Sequence, residues 1–447
     1  MGCPSGRYRL NKIEAGRCLI FQKSGFVEFL GYEFIGNRYG TQQRGIKSGR
    51  RPRLRENAMY DLILLMLLTL PLLAVSLAGR HYERGLPEAS RETLAKRRYY
   101  LSWFITLAIL GQLLLLSTLF SRWDGRISSV EWLFAQLDGP VDLMVELIGK
   151  VAAAVILSVT MMLVVIVYFS LYFLPWLRFE RAIKRMQGGV MGKRPVWRTL
   201  RSMLAMSIPA VLWACLGFAL PQGFLKDPAY FGLLLVGFLL VTQSLSPWLV
   251  QLANPTTSLP ADHPVTQMAM VLSRAAGVRI GAVRIITQGD AKVANAMVSG
   301  LWPRLRCIYV TDHMLATFSM AEIRAILAHE VGHLHHGHQW WYFGFALGGV
   351  LIIPQAAHLL DYLEFFRGST WSTWIAIGLY WGLMFKFFSR RFEREADRYA
   401  VSATGDVVTF QQALEKLAEV NGAVKQYAKW DIFQTHPLVA ERIKALG

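Results

Sequence analysis

Residues Ile326–Val350 read ILAHEVGHLHHGHQWWYFGFALGGV, a charged, histidine-rich half that runs into an apolar half fronted by Trp340 and Trp341. In the first half His329 and His333 are spaced i, i+4, with Glu330 directly after the first of them. Two histidines at this spacing share one face of a helix, so both imidazoles reach a common point. The second half is long and apolar enough to be read as the start of a membrane helix. The stretch therefore predicts a metal-binding helix built against a bilayer.

Composition agrees. The chain has 447 residues, 53% hydrophobic and only 17% charged, against about a quarter charged in an ordinary soluble domain. A spanning helix needs roughly 20 mostly apolar residues. Seven segments meet or approach this: Met59–Ala78, Leu101–Phe120, Val151–Leu174, Met203–Leu220, Phe231–Val250, Trp340–Ala357 and Trp371–Phe388. Prolines inside them, such as Pro71, Pro247 and Pro354, are tolerated where neighbours re-satisfy the carbonyls they free. The net charge of +18 comes with no nucleic-acid recognition motif, and its Lys and Arg flank apolar runs. It reads as orientation signal and contact with anionic lipid. Cys3, Cys18, Cys215 and Cys307 have no paired spacing, so neither a disulfide framework nor a zinc ribbon is expected. The opening MGCPSG has Gly6 where a myristoylation signal needs Ser or Thr.

Arg80, Arg84, Arg91, Lys96, Arg97 and Arg98 load the first connection, and Arg178 to Arg201 load the third, while the second and fourth are poor in Lys and Arg. The positive-inside rule then places the first and third connections, the polar region 253–339 and the C-terminus in the cytosol. Arg44 to Arg55 crowd before the first span on the side this alternation calls external. Residues 1–58 are accordingly read as a basic leader, disordered or not part of the working protein, with Met59 as an alternative start. The organisation expected is this leader, a five-helix membrane region (59–252), a polar region with a small sheet and the helix bearing His329 and His333 (253–339), two further membrane helices (340–388) and a C-terminal helical region (389–447).

Within the polar region, Ala282–Thr287, Asn295–Gly300 and Arg306–Asp312 are rich in β-branched residues and read as short strands. Ser319 and Glu322 form a capping-box pattern that opens a helix carrying Ile323, Ile326, Leu327, Val331 and Leu334. On it stands the HExxH pair. Neutral imidazole suits zinc, and a catalytic zinc takes three protein ligands and leaves a fourth position for water, whose pKa it lowers to about 7. Glu330 is placed to accept that water's proton. For the third ligand, FSRRFEREADRYA (Phe388–Ala400) puts Glu393 and Asp397 on one helical face. Glu393 is assigned to the metal. Asp397 is assigned to a ring N–H of a ligating histidine. Glu395 points elsewhere. His335 and His336 are read as solvated, and Cys307 and Cys215 as small buried apolar residues.

Together these residues resemble the integral-membrane zinc metalloprotease family that includes CaaX prenyl protease 1 and the HtpX-type proteases. HEVGHLHHGH resembles HExGHxxxxH with His338 last, SRRFEREAD resembles SRxFExxAD, NAMVSG (Asn295–Gly300) resembles the NAxVxG edge strand, and THPLVAER (Thr435–Arg442) resembles HPPLxER. The resemblance implies a mainly α multi-pass protein of about seven helices around an intramembrane chamber, with a small α+β gluzincin-type domain and one Zn2+. It also implies that Asn295 and its strand bind substrate backbone, and that His436 stands near the zinc as an oxyanion donor. The helix count favours the CaaX-protease branch. HPLV in place of HPPL and the basic leader are departures that do not touch the metal.

The reading is a membrane-embedded zinc metalloendopeptidase that cleaves peptide or protein substrates tethered to the bilayer, C-termini of prenylated proteins foremost. Its place is a bacterial inner membrane or the endoplasmic reticulum, with the site facing the cytosol. An HtpX-like quality-control protease is the alternative. A metal transporter or receptor fits less well, because the spans carry few ionisable groups at mid-depth and the metal-type residues fall outside them.

Overall fold

In the computed structural model, the residues described are 50–421 and 439–446, apart from 85, 87–90, 122–135, 137–138, 142, 147, 187–193, 221–223, 225–227, 289–292 and 364–370. Residues 1–49 of the expected leader, and His436, lie outside them. The chain divides into two compact units. One comprises Met1–Met66, Arg122–Leu163 and Ala210–Pro228, and the other Leu67–Ser121, Val164–Pro209 and Ala229–Gly447. All that follows on packing and the site concerns the second.

Five long helices precede the polar region: α1 (Arg50–Glu83), α2 (Arg91–Ser121), α3 (Lys150–Met186), α4 (Arg194–Ala219) and α5 (Pro228–Ala253). Each contains a stretch long and apolar enough to cross a membrane, and so does α9 (His338–Asp361). Large apolar side chains stay exposed along them, among them Leu70, Val164, Leu233 and Leu351. An apolar surface of that extent has lipid as its natural solvent. The expected seventh span is helical but not a regular α-helix. Helix α10 (Trp371–Ile377) passes through a π-helical stretch, Gly378–Met384, into α11 (Phe385–Thr404). There the Tyr380 ring lies against Gly348 and Gly349 of α9, where a Cβ would meet it at 2.7 and 3.0 Å. Its hydroxyl donates to the Phe345 carbonyl at 2.7 Å.

Pro71 illustrates how a spanning helix accommodates a missing N–H. The carbonyl it cannot serve, that of Leu67, accepts from Gln112 Nε2 of α2 at 2.8 Å. Gln112 is buried and accepts in turn from Tyr172 Oη of α3 at 2.7 Å, while Tyr168 Oη donates to the Leu68 carbonyl at 2.8 Å. At the polar end Arg98 grips the Glu180 carboxylate through two nitrogens, at 2.5 and 2.7 Å. Apolar Leu101, Ile105, Phe179 and Ile183 pack beside these contacts.

The polar region holds a four-stranded sheet of order β1-β2-β4-β3: β1 (Thr256–Ser258), β2 (Ala282–Ile286), β3 (Ala296–Ser299) and β4 (Cys307–Thr311). β2 and β4 run parallel, and β1 and β3 pair antiparallel at the edges. The three expected strands are present. β1 is an addition, because three residues, TTS, carry no readable alternation. Central β4 is buried throughout. Against the sheet pack α6 (Pro264–Ala275) and α8 (Met320–His335), sharing one core of Val265, Leu272, Val283, Ile308, Ile326 and Val331. The short α7 (Asp312–Thr317) leads from β4 towards α8. Helix α12 (Val407–Val420) adds Phe410 and Leu414 to that core, and α13 (Val439–Lys444) closes the described chain.

Arginines counted as topology signals reach this region. Arg198 of α4 donates to the Gln288 carbonyl and amide oxygen, and Arg201 to the Leu252 and Gln251 carbonyls that end α5. These contacts tie the start of α4 to the end of α5 and to the polar region.

Candidate metal centre

Helix α8 begins with the expected capping box. Ser319 N–H donates to Glu322 Oε2 at 2.6 Å, and Glu322 N–H to Ser319 Oγ at 3.3 Å. Lys416 of α12 pairs with the same carboxylate at 2.8 Å. All five apolar positions read from the sequence are buried on the core side. This fixes the rotation of α8 and sends His329 and His333 to the face that meets α11. The two helices approach closely because Gly332 lies between the histidines: a Cβ there would stand 3.1 Å from Ala396 Cα and from Tyr399 Cβ. Ala396 and Ala400, fully buried on α11, keep that face equally flat.

The approach brings three candidate ligand side chains together. His329 Nε2 lies 3.2 Å from His333 Nε2. Glu393 presents Oε2 at 3.6 Å from the first and Oε1 at 3.6 Å from the second. Ligands about 2.0–2.1 Å from one tetrahedral ion stand roughly 3.3–3.5 Å apart, so these separations suit a single zinc-sized cation.

The tautomers agree with such an ion. His329 Nδ1 is 2.9 Å from Asp397 Oδ1, and its N–H donates there. His333 Nδ1 is 2.9 Å from His338 Nδ1, whose other nitrogen is 3.1 Å from Glu395 Oε2. With protons running outwards along both chains, the two Nε2 lone pairs face each other and a carboxylate across a gap that suits a cation. Burial, with His329 close by, pushes the His333 imidazole down to about 3, so it stays neutral. Burial also pushes the Asp397 carboxyl upwards, but hydrogen bonds from Arg442 and His329 outweigh this and hold it below the usual range. Arg442 of α13 donates to Asp397 through Nε at 2.9 Å and Nη2 at 2.5 Å, and its Nη1 lies 3.6 Å from Glu393. Phe410 faces the His329 ring at 6.1 Å, and Phe392 stacks on His338 at 4.3 Å between ring centres.

The structure thus brings together His329, His333, Glu393 and Asp397. Glu330 follows His329 on α8 and is half-buried. Asn295 is exposed at the head of β3, its N–H donating to Thr311 Oγ1 at 3.0 Å. β3 is an edge strand packed on α8, and no strand pairs with its outer side among the described residues. Asn421 holds the approach to it by accepting from Ala294 N–H at 2.9 Å and donating to the Ala294 carbonyl at 2.7 Å. His335 and His336 are exposed and Cys307 is buried. Glu395, set aside as a ligand, serves His338 instead. Arg442 and Asn421 went unread as site residues; the only signal for Arg442 was its place at the end of THPLVAER.

Helices of this length and apolarity beside a buried two-histidine, one-carboxylate cluster define an integral-membrane protein with a metallopeptidase-type centre. Residues 262–447, rather less than half of the chain, match Peptidase family M48, and with the spanning helices they mark the protein as a membrane metalloprotease. Protease HtpX of Stutzerimonas stutzeri (strain A1501) is 25% identical over 245 residues, 46% of this chain and 81% of the relative. A protease HtpX homolog of Aeropyrum pernix is 25% identical over 203 residues, 41% of this chain and 61% of that one. The fold resembles the crystal structure of S. mikatae Ste24p, with a TM-score of 0.55 at 18% identity, covering 87% of this chain and 99% of that one.

Proposed function

We propose that the chain is a zinc endopeptidase that cleaves membrane-associated peptides at the His329–His333–Glu393 centre. The observation that carries this is the convergence of two histidine Nε2 atoms and one buried carboxylate, with Glu330 on the same helix. A bound zinc would supply Lewis acidity towards the scissile carbonyl and an acidified water. Glu330 takes the proton from the attacking water and returns it to the leaving amine. Asp397 and His338 hold the ligating rings in the required tautomers, and Arg442 keeps Asp397 charged. The outer edge of β3, headed by Asn295, offers backbone groups to an extended peptide by strand addition. His436 is assigned to the oxyanion on family likeness.

Prenylated C-termini are the substrate class favoured by the motif resemblance and by the spanning helices ahead of the HExxH helix. The sequence likeness to HtpX proteases supports the second reading, clearance of membrane proteins irrespective of any lipid. The arginine contacts from α4 support a site on the cytosolic side.

Two peptides with the same CaaX-type ending, one farnesylated and one not, separate the readings when cleavage by the detergent-purified chain is followed by mass spectrometry, with Glu330→Gln as control. Cleavage of only the farnesylated peptide establishes C-terminal processing. Equal, Glu330-dependent cleavage of both establishes the general protease. Cleavage undiminished in Glu330→Gln would overturn the mechanism itself.

A further inference from the structure

Away from the metal centre, a cavity of about 550 Å3 is lined by Gly277, Val278, Arg279, Trp302, Pro303, Arg304 and Arg306. Three of its seven lining residues are arginines and none is acidic. Arg279 and Arg304 are exposed, but Arg306 is buried, with only 7% of its surface accessible. Arg306 donates to the Leu301 carbonyl at 3.2 Å, while its buried Nε has no partner and no carboxylate pairs with it among the described residues. Burial lowers its pKa from the ordinary arginine value. A buried guanidinium without a counter-ion is costly unless an anion completes it. The cavity wall is also built to shape. The Arg306 carbonyl accepts from Gly281 N–H at 2.8 Å, and a Cβ on Gly281 would stand 2.3 Å from the Arg304 carbonyl oxygen.

The cavity's rim touches the membrane-spanning part of the same unit. Trp302 Nε1 donates to Ser244 Oγ of α5 at 2.6 Å, and its ring meets Trp340, at the start of α9, edge-on at 5.7 Å. Exposed Trp302, Trp340 and Trp341 thus cluster where two spans meet the polar region, the place interfacial tryptophans take in a bilayer. An anion arriving there comes most directly from the membrane surface, and a guanidinium fork matches phosphate oxygens.

We propose that this cavity binds the phosphate of an anionic phospholipid headgroup, with Arg306 at its base and Arg279 and Arg304 at its mouth. The site is separate from peptide cleavage and anchors the polar region to the charged bilayer surface. The purified full chain, titrated with phosphatidylglycerol or phosphatidylcholine and read by native mass spectrometry, should retain phosphatidylglycerol preferentially. Arg279→Gln/Arg304→Gln changes only exposed groups, and it should weaken that retention by about tenfold or more. Arg306→Gln should abolish it. Inorganic phosphate supplies the second arm, read as a shift in thermal midpoint. Phosphate protection that the double variant loses, without selective lipid retention, would assign the same anion site to free phosphate and overturn the headgroup as its source. Equal retention of the two lipids by the parent chain, or unchanged phosphatidylglycerol retention in the folded double variant, together with no phosphate protection, would overturn the site.

Discussion

His338 reaches back across a helix break to hold His333: their Nδ1 atoms are 2.9 Å apart, although His333 belongs to α8 and His338 opens α9. The break is Gly337, whose φ of 66° lies in the left-handed region that glycine enters without steric cost. One residue therefore separates α8 from α9 and turns the first side chain of α9 onto His333, the second of the two histidines proposed as ligands. The membrane helix and the metal centre are coupled through that contact. His338→Ala should lower zinc affinity by about 10–100-fold while leaving the helices intact, as measured by competition with a chromogenic chelator. Affinity equal to the parent would show that His333 needs no such support.

Asp397 does for His329 what His338 does for His333, with Arg442 gripping its far side. Asp397→Asn removes the charge and half of that grip, and a loss of about 10–100-fold in zinc affinity is expected. Arg442→Lys should weaken affinity in the same direction, because a single ammonium cannot reproduce the two-pronged contact. Zinc titration of each variant, with circular dichroism to confirm folding, checks both.

Gly332→Val places a branched side chain where even a Cβ would be 3.1 Å from the Ala396 backbone. Overpacking of this kind costs about 1–3 kcal/mol, and here it must also push α11, and Glu393 with it, away from the two histidines. A lowered thermal midpoint together with lost zinc binding is the expected pair of results. A variant that is destabilised but binds zinc normally would separate helix packing from ligand geometry.

The low pKa of His333 gives the metal-free protein a pH dependence. The folded imidazole titrates at about 3 rather than 6.5, so below 6.5 the unfolded chain binds a proton that the folded chain refuses. The contribution is complete above pH 6.5 and is lost progressively as pH falls towards 3, amounting at most to something on the order of a few kcal/mol. Zinc-stripped protein should show a falling denaturation midpoint between pH 7.5 and 5, and His333→Asn should flatten the curve.

How much of this was legible follows from the range of each signal. HExxH and the Glu393/Asp397 pair could be read because helical periodicity alone puts each pair on one face. The capping box and the buried stripe of α8 are equally local, and a short strand after Asn295 follows from its β-branched run, whereas its place at the sheet edge was implied only by the family resemblance. The role of His338 was hidden by the turn at Gly337, which breaks the periodicity that would relate it to His333. Arg442 and Asn421 act on residues far away in sequence, across folds that no local pattern encodes. Among the described residues six helices satisfy length and apolarity, whereas the stretch around Tyr380 is apolar in sequence but winds as a π-helix against Gly348 and Gly349.

Zinc content and cleavage measured on the same preparations of parent and Glu330→Gln test the central claim most directly. The account predicts one zinc per chain in both, peptide cleavage by the parent that a chelator abolishes and zinc restores, and a fall of about 10²–10⁴-fold in the variant. Cleavage by Glu330→Gln at the parent's rate, or cleavage that persists in zinc-free parent, would contradict it.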